Sequence, residues 1–142
     1  MALNPNSTTP PRRTRQEEAT ELAPVCVLAF NSTDPSGAGG LSADIATISS
    51  VGGHTLPVAC GAYIKDTARV YDHFALDDEA ITEQARTVLE DISVAAIKVG
   101  FAGGPANLAA IAQISSDYPH IPVISYMPDL SWWEDDKQDQ YL

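Results

Sequence analysis

Short apolar runs alternate along this chain with longer blocks in which apolar residues recur every three or four positions. The runs predict strands and are PVCVLAF, HTLPVACGAYI, VAAIKVG and IPVIS. The lack of polar alternation in PVCVLAF and VAAIKVG is typical of strands buried on both faces of a sheet. The blocks with helical spacing are LSADIATISSVG, DDEAITEQARTVLEDI and GGPANLAAIAQISSDY. A further stretch, residues 68–76, predicts a short exposed strand. This order predicts an α/β layer fold with a mostly parallel sheet.

Both ends of the chain depart from this pattern. Residues 1–23 are polar and proline-rich, so they cannot bury enough apolar surface to offset the entropy of ordering, and we expect a disordered leader. Residues 129–142 are acidic, and we expect an irregular tail after a folded domain of residues 24–128. The adjacent Trp132 and Trp133 in this tail indicate a lid, an interface patch or an exposed end.

Composition and charge exclude several classes of protein. The formal net charge of −11 leaves no large basic face, so we expect no nucleic-acid partner. No apolar run approaches the roughly 18 residues of a membrane span, and we expect a cytoplasmic protein without a membrane partner. Cys26 and Cys60 lie in apolar runs, which favours buried, reduced thiols over a disulfide. The three histidines lack metal-binding spacing, and we predict no metal site.

The glycine-rich segment NSTDPSGAGGLSAD, residues 31–44, follows the first predicted strand. Ligands of parallel α/β sheets bind at the carboxyl ends of the strands, which is where this segment falls. Its glycines allow close backbone approach, and free N–H groups at a helix start attract anions. The spacing matches neither a Walker A loop nor a dinucleotide fingerprint. A tight turn without a ligand has the same composition, so the residues alone leave both interpretations open.

Charged residues near the other strand ends have similarly open interpretations. Asp44 is either a solvated first-turn carboxylate, favoured by the helix dipole, or a side chain that points into a pocket. Lys65 and Asp66 form by default a solvated surface pair. Lys98 lies inside an apolar run, so it either extends its ammonium group past the strand end or pairs with a carboxylate such as Asp66.

Taken together, these segments resemble a known family. VLAFNSTDPSGAGGLSADIATISSVGGHTLPVACGAY is similar to the N-terminal signature of the hydroxymethylpyrimidine/phosphomethylpyrimidine kinases of thiamine biosynthesis, within the ribokinase-like superfamily. There the first strand precedes A-G-[ST]-D-P-[ST]-G-G-A-G-[IL]-Q-A-D, and the second ends in Q-N-T. The segment ALDDEAITEQARTVLEDISVAAIKVGFAG resembles the family's next helix and its strand ending K-[IL]-G-[ML]. The resemblance covers residues 24–125 in one register.

The resemblance implies a fold and a reaction. The fold is the N-terminal portion of a ribokinase-like three-layer α/β domain with a mostly parallel sheet, in which residues 68–76 supply part of a small lid ribbon. The reaction is ATP- and Mg²⁺-dependent phosphorylation of the hydroxyl of 4-amino-5-hydroxymethyl-2-methylpyrimidine and then of its monophosphate. Asp44 matches the aspartate that contacts the pyrimidine, and Gly37 and Gly40 match signature glycines of the loop backbone.

The chain departs from the family pattern at substrate-facing positions. Asn31-Ser32 replaces Ala-Gly, and Ala38-Gly39 replaces Gly-Ala. Lys65 replaces the glutamine that reads the pyrimidine edge. Because lysine donates but does not accept, this exchange leaves the pyrimidine amino group without its acceptor. Phe101 replaces the residue that faces the ring, and Ser32, Gly39, Lys65 and Phe101 remain, with Asp44, the candidate substrate-binding residues.

The family's acidic L-D-P-V segment is also altered. In register it reads Ser125-Tyr126-Met127-Pro128, so Tyr126 takes the place of the acid near the phosphates. Asp129 could substitute only after a shift of three residues, which requires the chain to follow a different route.

The family's G-[TS]-G-C-x-[FL]-[SA] segment, which builds the anion hole and carries the catalytic cysteine, does not occur in these 142 residues. We therefore assign no catalytic residue, and we expect the chain alone to be inactive and not to bind ATP and Mg²⁺ fully. The alternatives are a non-catalytic homologue that binds another small ligand or a protein partner, and a folded scaffold without a ligand. Half a sheet leaves an open edge, which we expect a further segment, a partner or a second copy in a homo-oligomer to complete.

Overall fold

A computed structural model describes residues 11–17 and 23–142 of the chain. It confirms the predicted alternation of strands and helices. The strands are β1 (Cys26–Thr33), β2 (His54–Lys65), β3 (Val70–Ala75), β4 (Ala96–Val99) and β5 (Val123–Ser125), and the helices are α1 (Gly40–Ser50), α2 (Asp78–Asp91), α3 (Pro105–Asp117) and α4 (Asp135–Tyr141).

The strands form one five-stranded sheet in the order β3-β2-β1-β4-β5. β1 lies in the centre and runs parallel to β2 and β4, and β5 runs parallel to β4. β3 is antiparallel to the last part of β2, so that the two form a ribbon at one edge. The mostly parallel α/β sheet predicted from the sequence is therefore confirmed, and residues 68–76 contribute the edge strand of the ribbon.

Local sequence signals explain where the longer helices begin. Asp77 accepts a hydrogen bond from the backbone N–H of Ala80 and caps α2, whose first turn carries two more carboxylates. Pro105 opens α3, where a missing N–H costs nothing. α1 packs against β1 and β2, and α2 packs against α3. Because connections in such sheets are right-handed, α1 lies on one face and α2 and α3 on the other.

The core lies between the sheet and the face covered by α2 and α3. Alternate side chains of β1 point to opposite faces, so Leu28 and Phe30 enter this core while Asn31 points to the face of α1. The buried core residues of the remaining strands and of the two helices are Leu56, Val58, Cys60, Ile97, Val99, Ile81, Ala85, Ile111 and Ile114.

The N-terminal half of β2 has a strand neighbour on one side only, because β3 pairs with residues 61–65. Pro57, which pairs with Ala29 of β1, therefore has no strand partner on its other side. Gln84 of α2 covers this open side, since its side chain accepts from the N–H of Ala59 and donates to the carbonyl of the same residue, both at 3.0 Å. One side-chain amide thus replaces a neighbouring strand at this position.

β5 is exposed along its whole length, because no element covers the outer edge of the sheet in the described part of the chain. The structure differs from the expectations at the tail. The tail, expected to be irregular, contains α4, and Tyr141 at the end of this helix is buried. An apolar anchor thus orders a segment whose acidic composition gave no helical periodicity.

Most of the predicted disordered leader lies outside the described residues. Within the described part, Thr14 and Glu17 exchange two hydrogen bonds, from the Thr14 N–H to the Glu17 carboxylate and from the Glu17 N–H to the Thr14 hydroxyl. This reciprocal arrangement is a capping box at the start of one helical turn. Disorder of residues 1–23 as a whole stays a prediction.

Candidate ligand-binding site

The glycine-rich turn after β1 is organised by the carboxylate of Asp34. One oxygen accepts from the N–H and the hydroxyl of Ser36, at 2.8 and 2.7 Å, and the other accepts from the N–H of Gly39 at 2.8 Å. The Asp34 side chain is only 1% exposed. A buried carboxylate therefore fixes the path of the loop, so the loop is held in place before any ligand arrives.

Lys65 completes the donor set around Asp34. Its Nζ lies at the end of β2 and donates to Oδ2 of Asp34 at 3.0 Å. Burial by itself would raise the pKa of Asp34, but the hydrogen bonds from Ser36 and Lys65 outweigh it and hold this pKa below its usual value. The expected solvated pair of Lys65 with Asp66 does not form; Lys65 instead joins two strand ends.

A second ion pair lies on the α1 face of the sheet. Lys98 of β4 donates to Oδ1 of Asp44 at 2.7 Å, and the Asn31 amide donates to Oδ2 at 3.0 Å. Of the two interpretations of Lys98, pairing with a carboxylate is therefore confirmed, but the partner is Asp44 and not Asp66. Asp66 lies at the far end of the ribbon, where its carboxylate accepts from the Tyr71 hydroxyl. Lys98 is tolerated inside an apolar strand because α1 brings a carboxylate to it.

Ser32 connects β1 to the ribbon and to the loop after β4. Its hydroxyl donates to the Phe101 carbonyl at 3.1 Å and lies 2.7 Å from Nε2 of His73. Burial lowers the pKa of His73 to about 4, so the ring is neutral at pH 7. Because the single hydroxyl proton of Ser32 is directed to Phe101, the network assigns the imidazole proton to Nε2.

Aromatic side chains surround Phe101 at the carboxyl ends of the strands. Tyr63 stacks on Phe101 with ring centroids 5.6 Å apart, and Trp132 and Trp133 meet it edge-on at 5.7 and 5.1 Å. The hydroxyl of Tyr141 accepts a hydrogen bond from the N–H of Ala102 at 2.9 Å and ties α4 to the same loop. The tail thereby packs against the end of the sheet.

A cavity of about 260 Å³ opens between the glycine-rich turn and this aromatic cluster. One wall is polar, with Asp34, Lys65 and Asn31, and the other is largely aromatic. The remaining lining residues are Gly39, Gly40, Tyr63, Val70, Gly100, Phe101, Tyr126, Pro128, Asp129 and Trp132. The position agrees with the rule that parallel α/β sheets bind ligands beyond the carboxyl ends of their strands.

The sequence-predicted residues divide into two groups in this geometry. Gly39, Gly40, Lys65 and Phe101 line the cavity. Ser32 and Asp44 do not, since Ser32 is fully buried and the Asp44 carboxylate is occupied by Lys98 and Asn31. Both instead form hydrogen bonds with residues that line the cavity, Ser32 with Phe101 and Asp44 with Asn31. Gly37 lies at the loop tip, where its φ of 73° is in the left-handed region that favours glycine.

Other residues of the site carried no clear signal in the sequence. Nothing in the sequence singled out His73, because its slot forms only when β3 folds beside Gly61 and Gly103. Tyr63 looked like one apolar residue of a strand, and Trp132 belonged to a segment without periodicity. Asp129 does reach the cavity wall, although in the family register Tyr126 holds the acidic position. Tyr126 lines the same cavity, and the Asp129 carboxylate accepts hydrogen bonds from the N–H and the hydroxyl of Ser131. That Asp129 substitutes for the family acid stays a prediction.

The sheet order and the cavity at its carboxyl end define an α/β protein of the ribokinase-like class. The family model described as phosphomethylpyrimidine kinase matches residues 34–128. The chain belongs to this family.

Curated relatives of known description are longer than this chain. A hydroxymethylpyrimidine/phosphomethylpyrimidine kinase of Streptomyces coelicolor is 28% identical over 93 residues, which are 66% of this chain and 35% of that protein. A bifunctional thiamine biosynthesis protein of Methanocaldococcus jannaschii is 30% identical over 119 residues, covering 82% of this chain and 28% of that protein. The chain therefore spans about a third or less of the length of these relatives.

Solved structures show the same fold. Phosphomethylpyrimidine kinase from Clostridium difficile superposes with a TM-score of 0.65 at 26% identity, covering 71% of this chain and 44% of that one. A pyridoxal kinase from Staphylococcus aureus in complex with AMP-PCP and pyridoxal gives a TM-score of 0.58 at 24% identity, over 74% of this chain and 38% of that one. No helix in the described part of the chain is long and apolar enough to cross a membrane.

Proposed function

We propose that this chain provides the pyrimidine-binding part of a kinase-like protein of thiamine biosynthesis. The observation that carries the proposal is the cavity at the carboxyl ends of β1, β2 and β4, most of whose lining residues lie in the segment that matches the family. A polar wall opposite aromatic side chains suits a flat ring with hydrogen-bonding edges. The mixed lining also distinguishes this cavity from a purely apolar packing defect.

Lys65 determines which hydrogen bonds such a ring could form with the polar wall of the cavity. Its side chain is 21% exposed and lines the cavity, and its ammonium group has one hydrogen bond committed to Asp34. It can donate to a ring nitrogen but cannot accept from an exocyclic amino group. An aminopyrimidine in this cavity would therefore be bound less tightly than by a site that carries glutamine at this position.

Phosphoryl transfer requires groups that binding of the ring does not. The family reaction uses ATP and Mg²⁺, and the Staphylococcus aureus relative was crystallised with an ATP analogue. In the described residues, no group of three His, Cys, Asp or Glu side chains could hold a metal ion. Asp34 is saturated by four donors, so it offers no free oxygen to a cation. Asp34 therefore does not supply a magnesium ligand, and we propose that this chain alone does not catalyse the transfer.

One observation favours a second candidate, a non-catalytic homologue that binds an anionic ligand. Lys65 places a cation at the cavity wall in the position where the family carries a neutral glutamine. Phosphate esters would gain a charge-assisted hydrogen bond from it. A phosphate ester that lacks the pyrimidine ring and the free pyrimidine alcohol therefore distinguish the two candidates.

Isothermal titration with 4-amino-5-hydroxymethyl-2-methylpyrimidine tests the proposal. Wild type should bind, and Lys65→Gln should bind about tenfold more tightly, since an added acceptor is worth about 1.4 kcal/mol. The glutamine amide can still donate to Asp34, so the loop keeps its partner. Lys65→Met, which lacks both functions, is the matched control and should show no gain.

Two outcomes would argue against this function. Absence of binding to wild type and to Lys65→Gln would show that the cavity does not accept the pyrimidine. Binding of a phosphate ester that lacks the pyrimidine ring, lost in both Lys65 variants and without binding of the pyrimidine alcohol, would support the anionic ligand instead.

A further inference from the structure

Trp132 lies outside the segment that matches the family and yet lines the cavity that this segment forms. The family match ends at residue 128, and Trp132 follows in the turn before α4. Its indole contacts Phe101 and Tyr63 edge-on, with centroid separations of 5.7 and 6.0 Å. The tail thus adds an aromatic surface to the site.

The orientation of this indole is fixed by its neighbours. Its Nε1 donates to the backbone carbonyl of Asp129 at 3.0 Å, and Trp133 stacks beside it at 5.7 Å with an interplanar angle of 20°. The helix that follows is held to the sheet by the hydrogen bond from Ala102 N–H to the Tyr141 hydroxyl. A ring held in this way meets a ligand without losing further rotamer freedom.

The wall opposite Trp132 supplies the complementary chemistry. Lys65 offers donors beyond its one hydrogen bond to Asp34, and Gly39 and Gly40 line the same side. The volume of about 260 Å³ is below the usual range for drug-sized ligands, so it suits a single ring with small substituents. Such a ligand would place its polar edge on the loop side and its ring against the aromatic side.

We propose that Trp132 is a ligand-contacting residue whose indole forms the aromatic wall for a single-ring heteroaromatic ligand, and that the tail thereby contributes to specificity. This inference rests on the proposed function. It assigns a binding role to a segment that the family match does not cover, and it explains why an acidic tail carries adjacent tryptophans that pack inwards.

Fluorescence titration with 4-amino-5-hydroxymethyl-2-methylpyrimidine tests the contact directly. Trp133→Phe leaves Trp132 as the single tryptophan, because the chain contains two. Trp133 stacks on Trp132 outside the cavity lining and phenylalanine keeps an aromatic ring there, so calorimetry on Trp133→Phe first measures the affinity to which its fluorescence titration is compared. Saturating ligand should change the Trp132 emission, with the same dissociation constant as calorimetry gives.

Calorimetry on Trp132 variants tests the energetic role. Trp132→Ala should weaken binding at least about tenfold, and Trp132→Phe should lose less because it keeps a ring. Thermal unfolding of each variant verifies that it is folded. Should Trp132→Ala fail to fold, Trp132→Leu keeps the apolar bulk and serves the same purpose.

The outcomes separate this inference from the proposed function. Wild-type binding with unchanged affinity in the Trp132 variants, or binding without any change in Trp132 emission, would overturn the inference alone. No binding of the pyrimidine to wild type or to Lys65→Gln would overturn both.

Discussion

His73 shows how strongly the surroundings of one side chain can alter its chemistry. The imidazole lies so close to the Cα atoms of Gly61 and Gly103 that a Cβ at either glycine would contact its Cε1, at 2.6 and 3.0 Å. Nε2 is bonded to Ser32, and the ring packs edge-on against Tyr63 and Phe101. A proton added here would enter an apolar slot, and burial therefore lowers the pKa of His73 to about 4. The folded state therefore favours the neutral form of the His73 ring.

This residue predicts a pH dependence of stability. The unfolded chain takes up the His73 proton near pH 6.5, whereas the folded chain resists it until about pH 4, so the unfolded state binds more protons between these values. The contribution is fully present above pH 6.5 and is lost as the pH falls towards 4. We expect about 1–2 kcal/mol, allowing for partial solvent screening.

Urea denaturation at pH 7.5, 6 and 4.5 measures this effect. His73→Gln, which retains a donor for Ser32, should flatten the dependence, while the exposed His54→Gln should leave it as in wild type. The same slope in wild type and His73→Gln would show that His73 is not its source.

The element that determines the shape of the site is the turn between β1 and α1. Gly37 and Gly40 both have positive φ, at 73° and 60°. They differ in their surroundings, because a Cβ at Gly37 would meet nothing within 4 Å, whereas a Cβ at Gly40 would collide with the Ser32 carbonyl oxygen. The turn therefore needs glycine for conformation at both positions and for space at one.

Alanine substitutions separate these two requirements. Gly37→Ala should lower the free energy of unfolding by about 1–2 kcal/mol, the cost of the left-handed conformation. Gly40→Ala carries the same cost and in addition displaces backbone atoms, so we expect a loss of at least about 3 kcal/mol. Urea denaturation gives both values, and equal losses would mean that the turn relaxes without difficulty.

On the scale of the whole molecule, the sheet is covered unevenly. α1 covers β1 and β2 and reaches Lys98 of β4 through Asp44, but no described element covers β5 on the same face. Ile124 of β5 pairs with Lys98 and is 62% exposed, and Tyr126 and Met127 continue the exposed strip. An apolar strand at an open edge is a template for pairing with another chain.

We expect the purified chain to self-associate through this edge, because a second copy is then the only available occupant. Sedimentation velocity should show concentration-dependent association of wild type. Ile124→Lys should shift the chain towards monomer, since a charge at an edge strand opposes pairing. Val51→Lys is the matched control, because Val51 is 82% exposed and lies at the end of α1, away from this edge. A wild type that remains monomeric at all concentrations would contradict the prediction.

Local patterns were enough to predict the strands, the helices and the glycine-rich turn. Burial on both faces leaves unbroken apolar runs, a helix leaves a period near 3.6, and a left-handed turn requires glycine, so each is read from neighbouring residues. The limits of the second strand to within one residue and the start of α3 at Pro105 followed from such signals, whereas β1 continues to Thr33, three residues past its predicted end. The family resemblance also predicted that the site lies at the glycine-rich turn. It could do so because the residues of this turn are consecutive in the sequence.

The tertiary structure decided which side chains meet and what covers them. Lys65 pairs with Asp34 across 31 positions and Lys98 with Asp44 across 54, and no local pattern distinguishes these partners from Asp66. The exposure of β5 depends on which elements lie beside it. The place of Trp132 depends on the anchoring of α4 through Tyr141. By itself, the sequence determined the elements and the turn, because these depend on contacts within a few residues. The ion pairs and the cavity were decided only by the tertiary structure, because the strand order brings together groups that are far apart along the chain.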